Sequence, residues 1–319
     1  MGRKKAVVIF NLGGPDCLDA VKPFLFNLFY DPAIINLPNP LRWVIAKVIS
    51  SRRAPIAREI YEYMGGKSPI LEQTQMQGKA LERRLNEITD DSHKCFIFMR
   101  YWHPFAKDVV KDVKEYAPDE IILLPLYPQY SVTTTGSGLI DWHKNAVKIG
   151  LDYPFKVIKE YPDNKFLVET IADMIRNKTD KLEMKSEYRI LLSAHGLPKK
   201  IIEGGDPYQI QVEKTCAGIM KELEAVKMDH VICYQSRVGP LEWIGPSTDD
   251  EIERAGKDKK NIIMVPVAFV SEHSETLVEL DIEYKELAEE YGIKEYIRID
   301  TVGDQAKFID GLAKMVLEI

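Results

Sequence analysis

A histidine stands at the end of a strand-like run in the second half of the sequence. The run 189–194 (RILLSA) is almost entirely apolar, and His195 follows it directly, ahead of Gly196, Leu197 and Pro198. Such a histidine could simply end the strand, with its ring bonded to a nearby carbonyl group. It could also be a reactive group held on a rigid strand at the edge of a ligand site. On this stretch alone, both interpretations are open.

A row of carboxylates follows a later strand-like run. In FVSEHSETLVELDIEYKE (269–286), Glu275, Glu279 and Glu283 are spaced four apart and begin beside His273. This spacing places them on one helix face, where like charges repel by roughly 0.2–0.5 kcal/mol per pair. One explanation is a solvated acidic face. The other is a site for a divalent first-row metal in transit, because imidazole and carboxylates with room for further ligands suit such an ion.

Two loops could surround a flat ligand. The segment 234–250 holds Trp243 among glycines and prolines, so it is either a packed turn or a stiff wall for a planar aromatic molecule. The segment 126–138 (LYPQYSVTTTGSG) is rich in hydroxyl groups and glycine before a helix. Helix capping explains this composition as well as binding of carboxylate or phosphate oxygens does.

Short apolar runs alternate with helical periodicity along the 319 residues, which predicts an α/β fold with parallel sheets covered by helices. Ser271 is expected to cap the helix that carries the acidic row, with Glu272 in its first turn. The length and a recurring order of strand-and-turn signatures predict two similar domains, 1–150 and 151–319, on either side of a cleft. The predicted strands are 6–12, 95–101, 120–127, 155–159, 188–194, 230–235, 261–270 and 295–299, and the clearest predicted helices are 70–88, 165–178 and 212–226.

The first half carries an extra apolar segment, the 23–55 insert, which contains Trp43 and ends near Arg52 and Arg53. It could be a helix pair packed on the first sheet. Alternatively, it could be an apolar lip beside the cleft, for a flat ligand or a membrane surface.

Composition excludes several classes of protein. A net charge of −6 with mixed signs argues against a nucleic-acid binder. Four scattered cysteines without a CxxC pair suit a reducing compartment better than a disulfide framework or an iron–sulfur cluster. The sequence has no phosphate loop, dinucleotide fingerprint, nucleophile elbow or HExxH motif. We expect a cytoplasmic protein, since no apolar run is long enough to cross a membrane.

The motifs of this sequence, in their order along the chain, resemble those of ferrochelatases, which insert ferrous iron into a porphyrin in the last step of haem synthesis. The matching segments are NLGGP (11–15), GGKSPI (65–70), RYWHP (100–104), YPQYS (127–131), SAHGLP (193–198), QSRVGP (235–240) with Trp243 and Gly245-Pro246, and FVSEHSE (269–275). The histidine motif and the H-x-E before a carboxylate row are highly specific in combination.

The resemblance implies the chelatase fold, with two Rossmann-like domains, each a four-stranded parallel sheet flanked by helices, and the porphyrin between them. It implies that His195 and Glu275 are the catalytic and metal-contacting residues, within a second domain that carries the 271–283 acidic helix. Glu279 and Glu283 would continue the row that delivers iron or removes protons. The last helix could pack back on the first domain, and the 23–55 insert would be the family's lip, with peripheral contact to the inner membrane.

The resemblance also implies a set of porphyrin-binding residues and the identity of the porphyrin. Leu12 stands where the coproporphyrin-using branch has tyrosine, which favours protoporphyrin IX. Ferrous iron is expected as a substrate, with no permanently bound cofactor and no iron–sulfur cluster, because the chain ends at Ile319 without a cysteine-bearing tail. The predicted porphyrin-binding residues are Leu12, Arg100, Tyr101, Tyr127, Trp243 and Phe269.

Iron insertion requires that Fe²⁺ lose its hydration shell and that two pyrrole protons leave. A neutral imidazole can bind metal or accept a proton, so the division of roles between His195 and Glu275 stays open. Activity is expected to fall below about pH 6.5, where an ordinary imidazole protonates. Three alternatives remain: a chelatase for cobalt or nickel and another tetrapyrrole, a haem or metal carrier without turnover, and a peripheral membrane protein whose lip is its main function.

Overall fold

In a computed structural model, the chain forms two compact units. The structure describes residues 2–319 except Asp152, 225–227, Val238 and Pro240. Unit 1 comprises Met1–Glu160 and Leu312–Ile319, and unit 2 comprises Tyr161–Gly311. The division follows Glu160, C-terminal to the predicted boundary at residue 150. The last two residues of the predicted helix 212–226 lie outside the described residues, as do Val238 and Pro240 of the QSRVGP motif.

Unit 1 is built on a four-stranded parallel sheet with the strand order β2-β1-β3-β4. Its strands are β1 (Lys4–Asn11), β2 (Ser92–Met99), β3 (Glu120–Pro125) and β4 (Phe155–Val157). Its helices are α1 (Val21–Phe29), α2 (Asn39–Tyr63), α3 (Ile70–Ile88), α4 (Ala106–Tyr116) and α5 (Ser137–Ile149), with a π-helix at Val132–Gly136 and a 3-10 turn at Leu18–Ala20. The central strand is buried on both faces, which is why its sequence is a continuous apolar run.

Unit 2 repeats this architecture with the strand order β6-β5-β7-β8. Its strands are β5 (Tyr188–His195), β6 (Asp229–Gln235), β7 (Asn261–Pro266) and β8 (Tyr296–Arg298). Its helices are α6 (Lys165–Thr179), α7 (Lys199–Glu203), α8 (Tyr208–Glu222), α9 (Thr248–Lys257), α10 (Tyr284–Glu290) and α11 (Ala306–Glu318), with a π-helix at Glu275–Glu283 and a 3-10 turn at Lys185–Glu187. The final helix α11 continues into the Leu312–Ile319 segment, which belongs to unit 1.

Comparison of the strand registers within the two sheets shows which residues of unit 1 and unit 2 correspond. Phe10 of β1 pairs with Pro125, and Ser193 of β5 pairs with Pro266 at the corresponding point. Two residues further on, Leu12 in unit 1 therefore occupies the position that His195 occupies in unit 2. The predicted fold, two four-stranded parallel sheets flanked by helices, is confirmed.

The 23–55 insert folds mainly as the helices α1 and α2. Buried residues of these helices pack against Tyr101, which follows β2, and against the half-buried Leu12, which follows β1. The opposite side of α2 exposes large apolar side chains, namely Leu41, Val44 and Val48, whereas Trp43, 44 % exposed, lies on the side that contacts Phe26 of α1. Among the described residues, no helix is both long and apolar enough to cross a membrane.

Candidate active site

Three strands of unit 2 deliver polar side chains to the same edge of the sheet. His195 is the last residue of β5, Gln235 is the last residue of β6, and Glu275 begins the π-helix that follows β7. The carboxyl ends of parallel strands lie together at one edge, which is where α/β proteins bind ligands. The two catalytic residues inferred from the sequence therefore meet at this edge.

His195 and Glu275 form a close charge contact. The Nδ1 atom of His195 lies 3.2 Å from Oε2 of Glu275, and the side chains are 35 % and 29 % exposed. Nδ1 is not aligned for a hydrogen bond, so the contact is electrostatic at ion-pair distance. The backbone carbonyl of His195 accepts a hydrogen bond of 3.0 Å from the hydroxyl of Tyr208, which fixes the end of the strand beneath the imidazole.

His273 approaches the same carboxylate from a second direction. Its Nδ1 lies 3.1 Å from the carbonyl oxygen of Ser271, and because a carbonyl only accepts hydrogen bonds, this nitrogen carries the proton. Nε2 of His273 then faces Oε2 of Glu275 at 3.6 Å. One carboxylate oxygen thus lies near two imidazoles, an arrangement that a proton or a metal cation would stabilise.

The electrostatics of this cluster favour the protonated, positively charged form of His195 and the ionised form of Glu275. Burial by itself would lower the pKa of His195, but the carboxylates of Glu275 and Glu279 oppose it, and the net pKa is raised. Burial would raise the pKa of Glu275, yet the neighbouring His195 and His273 hold it well below its usual range. His195 therefore does not titrate as the ordinary imidazole assumed from the sequence, and its protonated form persists to higher pH.

Gln235 connects the cluster to the next carboxylate of the row. Its Nε2 donates to Oε2 of Glu279 at 2.9 Å and to the carbonyl of Glu275 at 3.1 Å, while its Oε1 accepts from Ser193 Oγ at 2.9 Å. Glu279 also accepts hydrogen bonds from the backbone N–H of Ser236, at 2.8 Å, and from its hydroxyl. Buried Gln235 is thus a structural link between β5, β6 and the π-helix.

The acidic row leads from half-buried to exposed positions. Burial, followed by the charge of Glu275, raises the pKa of Glu279. The Tyr284 hydroxyl lies 3.2 Å from Glu279 Oε1 and 3.4 Å from Asp249 Oδ2, and Asp249 is exposed. Glu283 is exposed at the end of the π-helix. Carboxylates therefore line a route from Glu275 to solvent.

The predicted cap of the acidic helix is wrong. Ser274, not Ser271, precedes the π-helix. The hydroxyl of Thr276 accepts a hydrogen bond from the N–H of His273 at 2.9 Å and donates one to the carbonyl of His273 at 3.0 Å. Glu272 is not in the first turn either, because it precedes Ser274, and its carboxylate accepts a hydrogen bond from Arg298 at 2.6 Å. Ser271 and Glu272 belong to a buried loop that positions the helix from outside.

The Trp243 loop packs beside the His195 turn. Ile244 N–H donates to the Leu197 carbonyl at 3.0 Å, so this loop and the HGLP turn run together. A Cβ on Gly196 would lie 2.9 Å from the carbonyl oxygen of Gln235 and 3.3 Å from the Trp243 ring, so only glycine fits there without a shift. Phe269 packs edge-on against the His273 ring with centroids 4.5 Å apart. Each aromatic residue thus lies next to the polar cluster.

The porphyrin-binding residues predicted in the first half lie at the corresponding edge of the unit 1 sheet. Arg100 Nη2 and the Tyr101 hydroxyl both donate to Asp31 Oδ2 at 2.8 Å, and Tyr101 is only 1 % exposed. Leu12 is half-buried against the helix pair of the insert, and Tyr127 is half-buried with its ring edge toward Phe10. Arg100 and Tyr101 therefore have a structural role, and contact of these four residues with porphyrin stays a prediction.

In the hydroxyl-rich segment 126–138, helix capping, one of the two alternatives, is seen at Ser131. Ser131 precedes the π-helix Val132–Gly136, and its Oγ accepts a hydrogen bond from the N–H of Thr133 at 3.1 Å. Ser137 donates to the buried carboxylate of Asp31 and accepts from Arg100 Nε at 2.6 Å.

In the part of the chain that the structure describes, no three or more His, Cys, Asp or Glu side chains are arranged as a ready-made metal site. The three residues His195, His273 and Glu275 would need ligands from outside the protein to complete a coordination shell. Such an open donor set suits a metal that is bound transiently rather than held as a structural ion.

A protein-family model described as Ferrochelatase matches residues 4–319. The chain belongs to the ferrochelatase family. It is 52 % identical over 319 residues to a ferrochelatase of Wolbachia sp. subsp. Drosophila simulans (strain wRi), covering 99 % of both chains. It is 50 % identical over 317 residues to a ferrochelatase of Pelagibacter ubique, covering 99 % of this chain and 91 % of the relative. A ferrochelatase of Rickettsia conorii is 52 % identical over 318 residues, with 99 % and 90 % covered.

Solved structures with the same fold are chelatases of distant sequence. The sirohydrochlorin chelatase SirB from Bacillus subtilis subspecies spizizenii, in complex with cobalt, superposes with a TM-score of 0.56 at 10 % identity, covering 99 % of this chain and 94 % of that chain. SirB from Bacillus subtilis with Fe³⁺ gives a TM-score of 0.54 at 10 % identity, with 99 % and 95 % covered. At this identity, the likeness concerns the fold alone.

For this member of the ferrochelatase family, the sequence predicted the histidines and glutamates of the cluster but not the residues that hold them in place. The predicted cluster of His195, His273, Glu275 and Glu279 forms within unit 2. Gln235 and Arg298 received no role. The structural role of Gln235 could have been predicted, since a polar residue that ends a buried strand needs a hydrogen-bond partner. No local pattern marked Arg298.

Proposed function

We propose that this protein is a ferrochelatase that inserts Fe²⁺ into protoporphyrin IX to give haem, with the chemistry at His195 and Glu275. The observation that carries the proposal is one carboxylate oxygen that faces two imidazoles, 3.2 and 3.6 Å away, at the carboxyl edge of a sheet. Membership of the ferrochelatase family supplies the substrates.

The reaction requires a base and a source of negative charge at the same place. Two N–H bonds of the porphyrin break, both protons leave, and the four nitrogens bind Fe²⁺ without any change in the oxidation state of iron. Loss of water from Fe²⁺ must be compensated by ligands or nearby anions, and the two protons must be accepted.

The opposite pKa shifts of the pair support a division of roles. The pKa of Glu275 is held low by the imidazoles, so it stays anionic and can offset the charge of the incoming iron. The pKa of His195 is raised, which makes it the stronger base of the two. When Fe²⁺ approaches Glu275, its charge lowers the pKa of the neighbouring imidazolium, and His195 loses its proton to the acidic row. The neutral ring then accepts the two pyrrole protons in turn, and it passes the first to the acidic row before it takes the second.

Rigid aromatic contacts would hold the macrocycle against this pair. Trp243 is fixed by the HGLP turn and Phe269 by the His273 ring, so both can press on a flat ligand without moving. Binding contacts far from the reacting nitrogens can hold a substrate part-way toward a bent transition state. The apolar side chain at Leu12 supports protoporphyrin IX rather than a porphyrin with more carboxylates.

Anaerobic turnover tests this function. With Fe²⁺ and protoporphyrin IX, we expect loss of porphyrin fluorescence and appearance of haem, and we expect coproporphyrin III to react more slowly at equal concentration. Faster reaction of coproporphyrin III would contradict the substrate assignment. Tight porphyrin binding without haem formation would contradict the enzymatic function and favour a carrier.

We also propose that the exposed side of α2 contacts an anionic membrane surface. Leu41, Val44 and Val48 are each at least 43 % exposed and recur at spacings of three and four, so they share one side of the helix. Lys47 lies over the Trp43 ring at 4.7 Å, and the exposed Arg52 and Arg53 follow on the same helix. Apolar side chains beside basic groups are typical of helices that lie in the membrane interface.

Vesicle sedimentation tests this contact. The wild-type protein should sediment with phosphatidylglycerol vesicles much more than with phosphatidylcholine vesicles, and Val44→Glu should reduce that binding about tenfold. Ile140→Glu is the matched control, because Ile140 is an apolar residue on α5, outside the insert, and is even more exposed than Val44. Equal effects of the two substitutions, or no binding by the wild-type protein, would contradict the proposal.

A further inference from the structure

Arg298 is the last residue of the edge strand β8, and it contacts the segment that carries the acidic row. Its guanidinium group forms two parallel hydrogen bonds with Asp281, Nε to Oδ1 at 2.6 Å and Nη2 to Oδ2 at 2.7 Å. Its remaining nitrogen, Nη1, donates to Oε1 of Glu272 at 2.6 Å. The side chain is 10 % exposed, so these three bonds are made largely away from water.

The two carboxylates bound by Arg298 flank the residues of the active site. Glu272 immediately precedes His273 and lies three residues before Glu275, whereas Asp281 lies within the π-helix beyond Glu279. A single planar group therefore holds the segment 272–281 at both ends. We propose that Arg298 is a positioning residue that fixes His273 and Glu275 in the geometry that receives the iron substrate.

Neighbouring contacts strengthen this clamp. The backbone N–H of Thr301 donates to the same Glu272 oxygen at 2.7 Å. The Tyr296 hydroxyl, from the same edge strand, donates to the carbonyl of Leu280 at 2.6 Å. β8 is thus attached to the π-helix region at three points, and the π-helix itself has the weaker i→i+5 hydrogen-bond pattern that short functional segments often show.

Arginine is required here for a geometric reason. Only a planar fork with several N–H donors can bind Asp281 in a bidentate manner and reach Glu272 as well. Lysine would keep the charge but act as a point donor, so it would leave at least one carboxylate poorly paired. Groups that orient metal ligands typically change metal affinity by about 10–100-fold when they are replaced.

Arg189 provides a matched comparison. It also lies on a strand of unit 2, is 8 % exposed, and binds two carboxylates, Asp229 at 2.7 Å and Asp258 at 2.8 Å. It stands near the amino end of β5, whereas His195 ends that strand. Arg298→Lys and Arg189→Lys therefore make the same change at two buried arginines that each bind two carboxylates, but only Arg298 contacts the segment that carries His273 and Glu275.

The proposal rests on the chelatase function, and two measurements separate the failure of one from that of the other. In turnover assays, Arg298→Lys should raise the KM for Fe²⁺ about tenfold and leave the KM for protoporphyrin IX within about twofold, whereas Arg189→Lys should leave both within about twofold. In NMR titrations with Co²⁺, which need no turnover, paramagnetic broadening of the His195 and His273 ring signals should require about tenfold more metal in Arg298→Lys alone.

Absence of turnover in the wild-type protein would overturn the chelatase function, and the Co²⁺ titration would still test the clamp. An unchanged Co²⁺ midpoint in Arg298→Lys would overturn the clamp. So would an equal shift in Arg189→Lys, because the effect would then follow from lost stability rather than from position.

Discussion

The charge contact of His195 and Glu275 sets the pH at which the imidazole becomes available. The sequence predicts the two residues, through a histidine that ends a strand and an H-x-E ahead of a carboxylate row. It does not predict that Nδ1 and Oε2 lie 3.2 Å apart, because that distance depends on where the π-helix begins relative to β5. The raised pKa of His195 follows from this distance and corrects the expectation of an ordinary imidazole.

A direct consequence can be measured by titration. In the wild-type protein, the NMR signal of the His195 ring should titrate above pH 6.5, and Glu275→Gln should bring its pKa down, because burial is then opposed by Glu279 alone. Since catalysis needs the neutral ring, the acid limb of kcat/KM should also lie above pH 6.5, and activity should fall as the pH decreases through the raised pKa.

Glu283→Gln is the control for this titration, because Glu283 belongs to the same row but is not among the groups that shift His195. A His195 pKa at or below 6.5 in the wild-type protein would contradict the ion pair. So would equal shifts in the two glutamine variants.

At the scale of elements, the sequence predicts which segments are strands and helices much better than it predicts how their side chains pair. The predicted helix 70–88 coincides with α3, whose buried residues Ile70, Leu81 and Leu85 are at helical spacing, although Thr74, Gln77 and Gly78 occupy the same face between them. The π-helix Glu275–Glu283 was expected as an ordinary helix, since four-residue spacing does not distinguish the two forms. Arg298 pairs with residues 17 and 26 positions away, which no local pattern reveals.

The helix pair of the 23–55 insert is anchored by a buried ion pair. Asp31 is 2 % exposed at its side chain and accepts from Arg100, Tyr101 and Ser137, which tie the insert to β2 and α5. Asp31→Asn should lower the free energy of unfolding by about 3–5 kcal/mol, because the guanidinium would lose its buried charge partner. Urea denaturation followed by tryptophan fluorescence measures this loss.

Asp19→Asn is the matched control for the anchor. Asp19 also pairs with an arginine, Arg58, at 2.8 Å, but its side chain is 94 % exposed. Such a pair contributes up to about 1 kcal/mol. Similar losses in the two variants would contradict the assignment of Asp31 as the anchor of the insert.

At the scale of the whole molecule, one architecture is used twice with different chemistry. Both units have a four-stranded parallel sheet of the same strand order, and in both a π-helix follows the third strand. The two halves of the sequence predict this repeat, because their apolar runs and turn residues recur in order. At equivalent positions, however, unit 1 has Leu12 and the threonine-rich segment 132–136, while unit 2 has His195 and Glu275. The residues that we propose to act on the metal therefore all lie in unit 2.

The central claim is that haem formation depends on His195. The most direct test is anaerobic conversion of Fe²⁺ and protoporphyrin IX to haem by the wild-type protein, by His195→Ala and by His230→Ala, an exposed histidine on the adjacent strand β6. We predict rapid conversion by the wild-type protein and by His230→Ala, and a loss of at least about 100-fold in His195→Ala, the range expected for a general base. Undiminished haem formation by His195→Ala would contradict the account.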